Sequence, residues 1–277
     1  GRGGQGCTAC RRERPVGRGC LTLTERSARV VAAVKLHRHT GRRRAARFLA
    51  EGPNLVEAAL RRGLVSEVFV TENAAERFAD LLAGAPTQLV TERAAKALSD
   101  TVTPVGLVAV CTVPDADLEQ VLADGPTLVA VPVGVSEPGN AGTIIRVADA
   151  MGADAVVLAG PSVDPYNGKC LRASAGSIFS IPVIAEPDTD AALTGLRDAG
   201  LQVLATVLDG SVSLDDVDLA RPTAWLFGPE AHGLPPDVVE LATARVRIPM
   251  AGNAESLNIG SAAAICLYQS ARASRRR

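Results

Sequence analysis

Apolar and polar positions change rhythm twice along this chain. Over residues 27–36 apolar side chains recur at helical spacing among basic ones, and a basic helix-and-turn surface follows. Strand-like runs at 48–51, 66–70, 88–90 and 107–113 then alternate with helix-like stretches at 54–62, 74–82 and 92–98. Residues 114–126, rich in aspartate and broken by proline and glycine, read as a linker with one short helix. Beyond it the strand-like runs at 128–135, 155–158, 182–185, 202–207, 224–227 and 246–249 lose their alternation and become continuously apolar. Such runs suit central parallel strands covered on both faces. The expected class is α/β: a small N-terminal α/β domain over 21–113, the linker 114–126, and a parallel-sheet domain over 127–277. Residues 1–20 are Gly-, Arg- and Cys-rich without periodicity and are expected to form a disordered arm.

Composition agrees with that class. In 277 residues, 47% are apolar but only 3% aromatic, so the core must be built from small aliphatic side chains packed between helices and strands. No run of 18 uncharged apolar residues occurs and the basic N-terminus lacks a secretion-type apolar stretch, so a cytoplasmic protein without membrane contact is expected. The six cysteines are scattered, which favours buried thiols over bridges. Cys7 and Cys10 have no second such pair to complete a zinc site, and no metal is expected.

Charge adds what composition hides. The net charge is -1, yet residues 1–47 hold 13 Lys and Arg against 2 Asp and Glu, residues 48–271 hold 12 against 28, and the last six hold 4 against none. An acidic body with basic ends is the asymmetry of a protein whose arms contact a polyanion. Arg38, Arg42, Arg43, Arg44 and Arg47 are the expected contacts for that polyanion in the basic run.

Candidate chemistry gathers at three junctions, each just past a strand-like run of the second half, where ligands bind in open α/β sheets. The first, EPGNAGTIIR, offers Asn140 to orient or cap and Arg146 as a fixed fork on the following helix. In the second, WLFGPEAHGLP, prolines fix a loop that holds Glu230 at the sheet edge; a lone loop histidine such as His232 is more often structural. The third, IPMAGNAESLN, brings Ser256 and Asn258 to a helix N-terminus. A P-loop is absent.

In this order the junctions resemble the three motifs of the SpoU family of RNA ribose 2'-O-methyltransferases, in the SPOUT class. The resemblance spans residues 127–271, and IPMAGNAESLNIGSAAAICLY is its most specific stretch. Residues 47–113, with FLAEGPNLVEAALRRGLVSEVFV and VGLVAVC, resemble that family's L30e-like substrate-binding domain. Within the family, the ribosomal RNA branch that includes thiostrepton-resistance-like enzymes is the most similar. The resemblance implies S-adenosylmethionine as methyl donor, a deep trefoil knot, and a homodimer with its active sites at the subunit interface. It implies that the loops at Gly228, Ile248 and Leu257 surround the donor. Asn140, Arg146, Glu230, Ser256 and Asn258 would line the methyl-transfer site, and Arg172 would touch RNA. The implied substrate is 23S ribosomal RNA; a tRNA ribose methyltransferase and a non-catalytic RNA-binding assembly factor are the alternatives.

Overall fold

The structure is a computed structural model that describes residues 21–229 and 231–275; the expectations for residues 1–20, including Cys7 and Cys10, and for Glu230 lie outside them. Helices α1 (Ala28–Val34) and α2 (His39–Ala45) flank a 3-10 turn at Lys35–His37 and lead into β1 (Arg47–Glu51). Then follow α3 (Pro53–Arg61), β2 (Val65–Val70), α4 (Glu72–Arg77), β3 (Thr87–Leu89), α5 (Glu92–Leu98) and β4 (Leu107–Thr112). Thr71 and Thr91 start α4 and α5 by accepting from the backbone N–H groups of Ala74 and Ala94. The helix expected to reach Leu82 ends at Arg77, and turns carry the chain to Gly84, whose φ of 79° suits only glycine. The four strands order as β1-β4-β2-β3; β4 pairs antiparallel with both neighbours and β2 pairs parallel with β3.

After α6 (Leu118–Ala123) come β5 (Leu128–Pro132), α7 (Pro138–Ala150), β6 (Ala155–Ala159), α8 (Gly168–Ser174), β7 (Val183–Glu186), α9 (Thr189–Asp198) and β8 (Gln202–Thr206). The chain ends with β9 (Val212–Ser213), β10 (Thr223–Phe227), α10 (Pro236–Glu240), β11 (Ala244–Arg247) and α11 (Ile259–Ser274). The strand order is β7-β6-β5-β10-β8-β11-β9, and every pairing is parallel. The sheet therefore needs cover on both faces, and it has it. Ala130, Val156, Leu158 and Trp225 pack against Ile144, Ile145, Cys266 and Leu267 of α7 and α11. Val129, Val131, Val157 and Leu226 pack against Leu193 and Leu196 of α9 and Val238 of α10. That double burial is why β5, β6 and β10 read as unbroken apolar runs. Buried Trp225 also donates to Ser270 Oγ at 2.9 Å, pinning α11 to β10.

Two sequence expectations shift. The last strand lies at Ala244–Arg247 rather than 246–249, since Pro249 has no N–H to give a ladder; the two-residue β9 was not foreseen. Cys111, Cys170 and Cys266 are buried free thiols. Desolvation pushes the first two up to about 12 and Cys266 higher still, so none is a nucleophile at neutral pH. Among the described residues, no helix is long and apolar enough to cross a membrane.

Candidate functional site

The carboxyl ends of β8, β10 and β11 open into a cavity of about 530 Å³, within the range of small-molecule sites. Gly228, directly after β10, lies against the backbone of Gly233 and Leu234, and a Cβ there would collide with both. The loop therefore folds back tightly and leaves its main chain on the cavity wall. Ile248, past β11, and Leu257, before α11, supply apolar walls together with Val207, Leu234 and Ile259. Ser256 and His232 are also at the wall. Such walls accept a flat aromatic group, with backbone N–H and C=O groups left to read its edge.

The side of the cavity formed by β8 was missed from sequence. Thr206, Val207, Leu208 and Asp209 line it. A readable signal existed: the run at 202–207 ends in Leu-Asp-Gly, another junction at a strand's carboxyl end. Arg245 pairs with Asp209 at 2.7 Å and holds its carboxyl below the usual carboxylate range. Thr206 Oγ1 donates to the Leu226 carbonyl at 2.6 Å, tying two of the cavity's strands together.

Polar residues of the first and third junctions meet. Asn258 is the N-cap of α11: its Oδ1 accepts from Gly260 N–H at 2.9 Å and Ser261 N–H at 3.3 Å. That fixes which end of the amide faces the helix, and Nδ2 donates to Asn140 Oδ1 at 3.1 Å across 118 residues of chain. Close packing permits the meeting, because Gly260 lies against Thr143 and any Cβ would come within 2.8 Å of its methyl. The cap of α7 is Glu137, not Asn140. Its carboxylate accepts from Gly139 N–H at 3.1 Å and pairs with Lys169 at 2.5 Å, which lowers its pKa. With Pro138 in the first helical position, Asn140 falls in the first turn. Arg146 is exposed on α7, about 9 Å further along the axis, with no ion pair or hydrogen bond among the described residues.

The basic run divides. Arg38, Arg43, Arg44 and Arg47 are exposed. Arg42 departs from the expected RNA-facing role: only 6% exposed, it is spent on Asp164 and on two carbonyls of its own segment. Arg172 is half-exposed and pairs with Asp100 of the N-terminal domain. No cluster of three or more metal-binding side chains forms among the described residues.

Comparison with known proteins follows the same division. The model of the SpoU rRNA Methylase family matches residues 127–268, and that of the MRM3-like substrate binding domain matches 27–109. The 23S rRNA (guanosine(2553)-2'-O)-methyltransferase RlmP of Bacillus subtilis (strain 168) is 36% identical over 235 residues, covering 84% of this chain and 92% of that one. Among solved structures, the SpoU methyltransferase AviRb from Streptomyces viridochromogenes, in complex with the cofactor AdoMet, superposes with a TM-score of 0.81 at 31% identity. That match covers 89% of this chain and 98% of AviRb. The AdoMet-bound rRNA methyltransferase from Sinorhizobium meliloti gives 0.79 at 32% identity over 89% and 95% of the two chains. With its catalytic-domain motifs, its parallel sheet and most of its length shared with these proteins, the chain belongs to the SpoU rRNA methylase family.

Proposed function

We propose that this protein is an S-adenosylmethionine-dependent methyltransferase acting on a ribose 2'-hydroxyl of 23S ribosomal RNA in the cytoplasm. One observation carries the reading: a largely apolar cavity at the carboxyl ends of parallel strands, bordered by the start of α11, whose N-cap Asn258 reaches Asn140 of α7. The 23S rRNA specificity rests on the names of the relatives, RlmP foremost.

The residues present fit the donor. The folded-back loop at Gly228 and the walls at Ile248 and Leu257 would hold its adenosine part, largely by backbone groups. Bound there, S-adenosylmethionine supplies a methyl group already activated on a positively charged sulfur, so no metal is called for. What is left to the chain is alignment. The Asn140–Asn258 pair, with Ser256 beside it, fixes the rim where the ribose enters. Arg146 presents a guanidinium to the 2'-oxygen and stabilises the negative charge that grows as the hydroxyl loses its proton. Because guanidinium releases a proton only with great difficulty, charge stabilisation is the role assigned to it. Glu230 is assigned to orient Arg146 on the strength of its motif position. Arg38, Arg43, Arg44 and Arg47 would grip RNA phosphates.

We infer further that the catalytic domain carries the family's trefoil knot, that the N-terminal domain is L30e-like, and that two copies complete each site. The late strand β10 inserts between the earlier strands β5 and β8, an order that accords with the knot, and the family resemblance supplies the rest of that reading. Met250, Ile265 and Tyr268 are 39%, 36% and 48% exposed at and before α11, an apolar surface suited to a second copy.

Arg146→Ala tests the assignment. Labelled methyl transfer to 23S rRNA should fall at least about a hundredfold, with S-adenosylmethionine binding by calorimetry unchanged. Near-normal turnover rejects the role of Arg146, and an unaltered protein that binds RNA but never the donor rejects the enzyme.

A further inference from the structure

We propose that Arg42 and Asp164 are positioning residues for methyl transfer: their ion pair, buried on the Arg42 side and partly buried on the Asp164 side, fixes the angle at which the N-terminal domain presents RNA to α7 and α11. The inference rests on the methyltransferase reading above. The side chains of Arg42 and Asp164 are 7% and 16% exposed. Arg42 Nε donates to Asp164 Oδ2 at 2.6 Å, and its Nη1 donates to the carbonyls of Leu36 and His37 at 2.9 Å each. One rigid fork thus binds the turn before α2 to a carboxylate 122 residues away in the catalytic domain.

The carboxylate is itself held. Asp164 Oδ1 accepts from Tyr166 N–H at 2.9 Å and its carbonyl from Asn167 N–H at 3.1 Å, so Asp164 is part of the turn that starts α8. Tyr166 packs against Phe48 of β1 with ring centres 4.8 Å apart and planes tilted by 33°, closing the same boundary. Helix α8 packs against α7 at Gly142, which leaves no room for a side chain, and α7 carries Asn140 and Arg146. An unbroken series of rigid contacts therefore runs from the exposed arginines of α2 to the methyl-transfer site. A second pair of reversed polarity, Arg172 with Asp100, spans the boundary in the open, where water screens it. A desolvated pair adds little net stability over apolar packing but permits only one geometry, which is the property orientation requires.

Three variants separate orientation from stability: Asp164→Asn, Arg42→Lys, and the paired apolar replacement Arg42→Met with Asp164→Leu, which leaves no unpaired buried charge. With 23S rRNA as acceptor, Asp164→Asn and the paired replacement should bind S-adenosylmethionine at full stoichiometry and RNA within about threefold of the unaltered protein. Their kcat should fall roughly ten- to a hundredfold. Arg42→Lys, which keeps the charge without the fork, should recover part of the rate, and small-angle scattering should show a broadened spread of interdomain distances in Asp164→Asn and in the paired replacement. Unchanged kcat, a kcat loss matched by an equal loss of donor stoichiometry, or unchanged scattering overturns the proposal. If the unaltered protein methylates no RNA, the methyltransferase reading fails instead, and scattering alone still decides whether the pair sets domain orientation.

Discussion

Asn258 performs two tasks with the two ends of one amide. Its oxygen caps α11 and its nitrogen reaches Asn140, so loss of the cap and loss of the contact are separable by chemistry. Asn258→Ala removes both and should cost about 1 kcal/mol of stability through the cap alone. Asn258→Asp keeps an oxygen for Gly260 and Ser261, and keeps the helix start, but has no donor for Asn140 and sets a carboxylate beside that oxygen instead. The aspartate variant should therefore match the unaltered protein in urea denaturation while losing methyl transfer about as fully as the alanine variant. If stability and turnover instead fall in parallel across the two substitutions, the amide serves the helix only.

Between elements, the decisive contact is the crossing of α7 with α8. A Cβ on Gly142 would meet Ala173 Cβ at 2.6 Å and Ser174 N at 3.0 Å, as well as the Cys170 carbonyl, so backbone and not a flexible side chain stands in the way. Helix propensity alone would make Gly142→Ala stabilising by about 1 kcal/mol. Overpacking a tight crossing costs about 1–3 kcal/mol, and the steric term should win. A net loss in urea denaturation is expected, and a gain would show that the helices separate freely. In the sequence Gly142 stands in the first junction, where a glycine permits close backbone approach, but nothing there names α8 as the element it meets. The parallel strands were legible because double burial writes itself as unbroken apolar runs, whereas β9 was not, since two residues leave no period. The three junctions could be picked out as candidates because each follows a strand-like run, where ligands bind in open α/β sheets. That Asn140 touches Asn258, or that Arg42 turns inward among outward arginines, depends on packing between segments more than a hundred residues apart, which local pattern does not encode.

At the scale of the whole molecule, charge decides how RNA arrives. Residues 48–271 hold 12 basic against 28 acidic residues, so most of the body repels a polyanion. On the proposed reading, docking runs through the exposed Arg38, Arg43, Arg44 and Arg47, with any further help from the arginines of residues 1–20 and 272–277. Four phosphate contacts release counterions, so the logarithm of the binding constant should fall against the logarithm of salt concentration with a slope of about -3 or steeper. Fluorescence anisotropy with a 23S rRNA fragment, followed through a potassium chloride series, gives that slope directly. Replacing Arg43 and Arg44 by Ala should flatten it by about 1.5, each lost phosphate contact removing its share, while S-adenosylmethionine binding stays constant because the cavity proposed for the donor is lined only by residues beyond 205. A slope near zero in the unaltered protein would mean that RNA is held by shape and stacking on an uncharged surface, and the basic segment would then have no part in substrate capture.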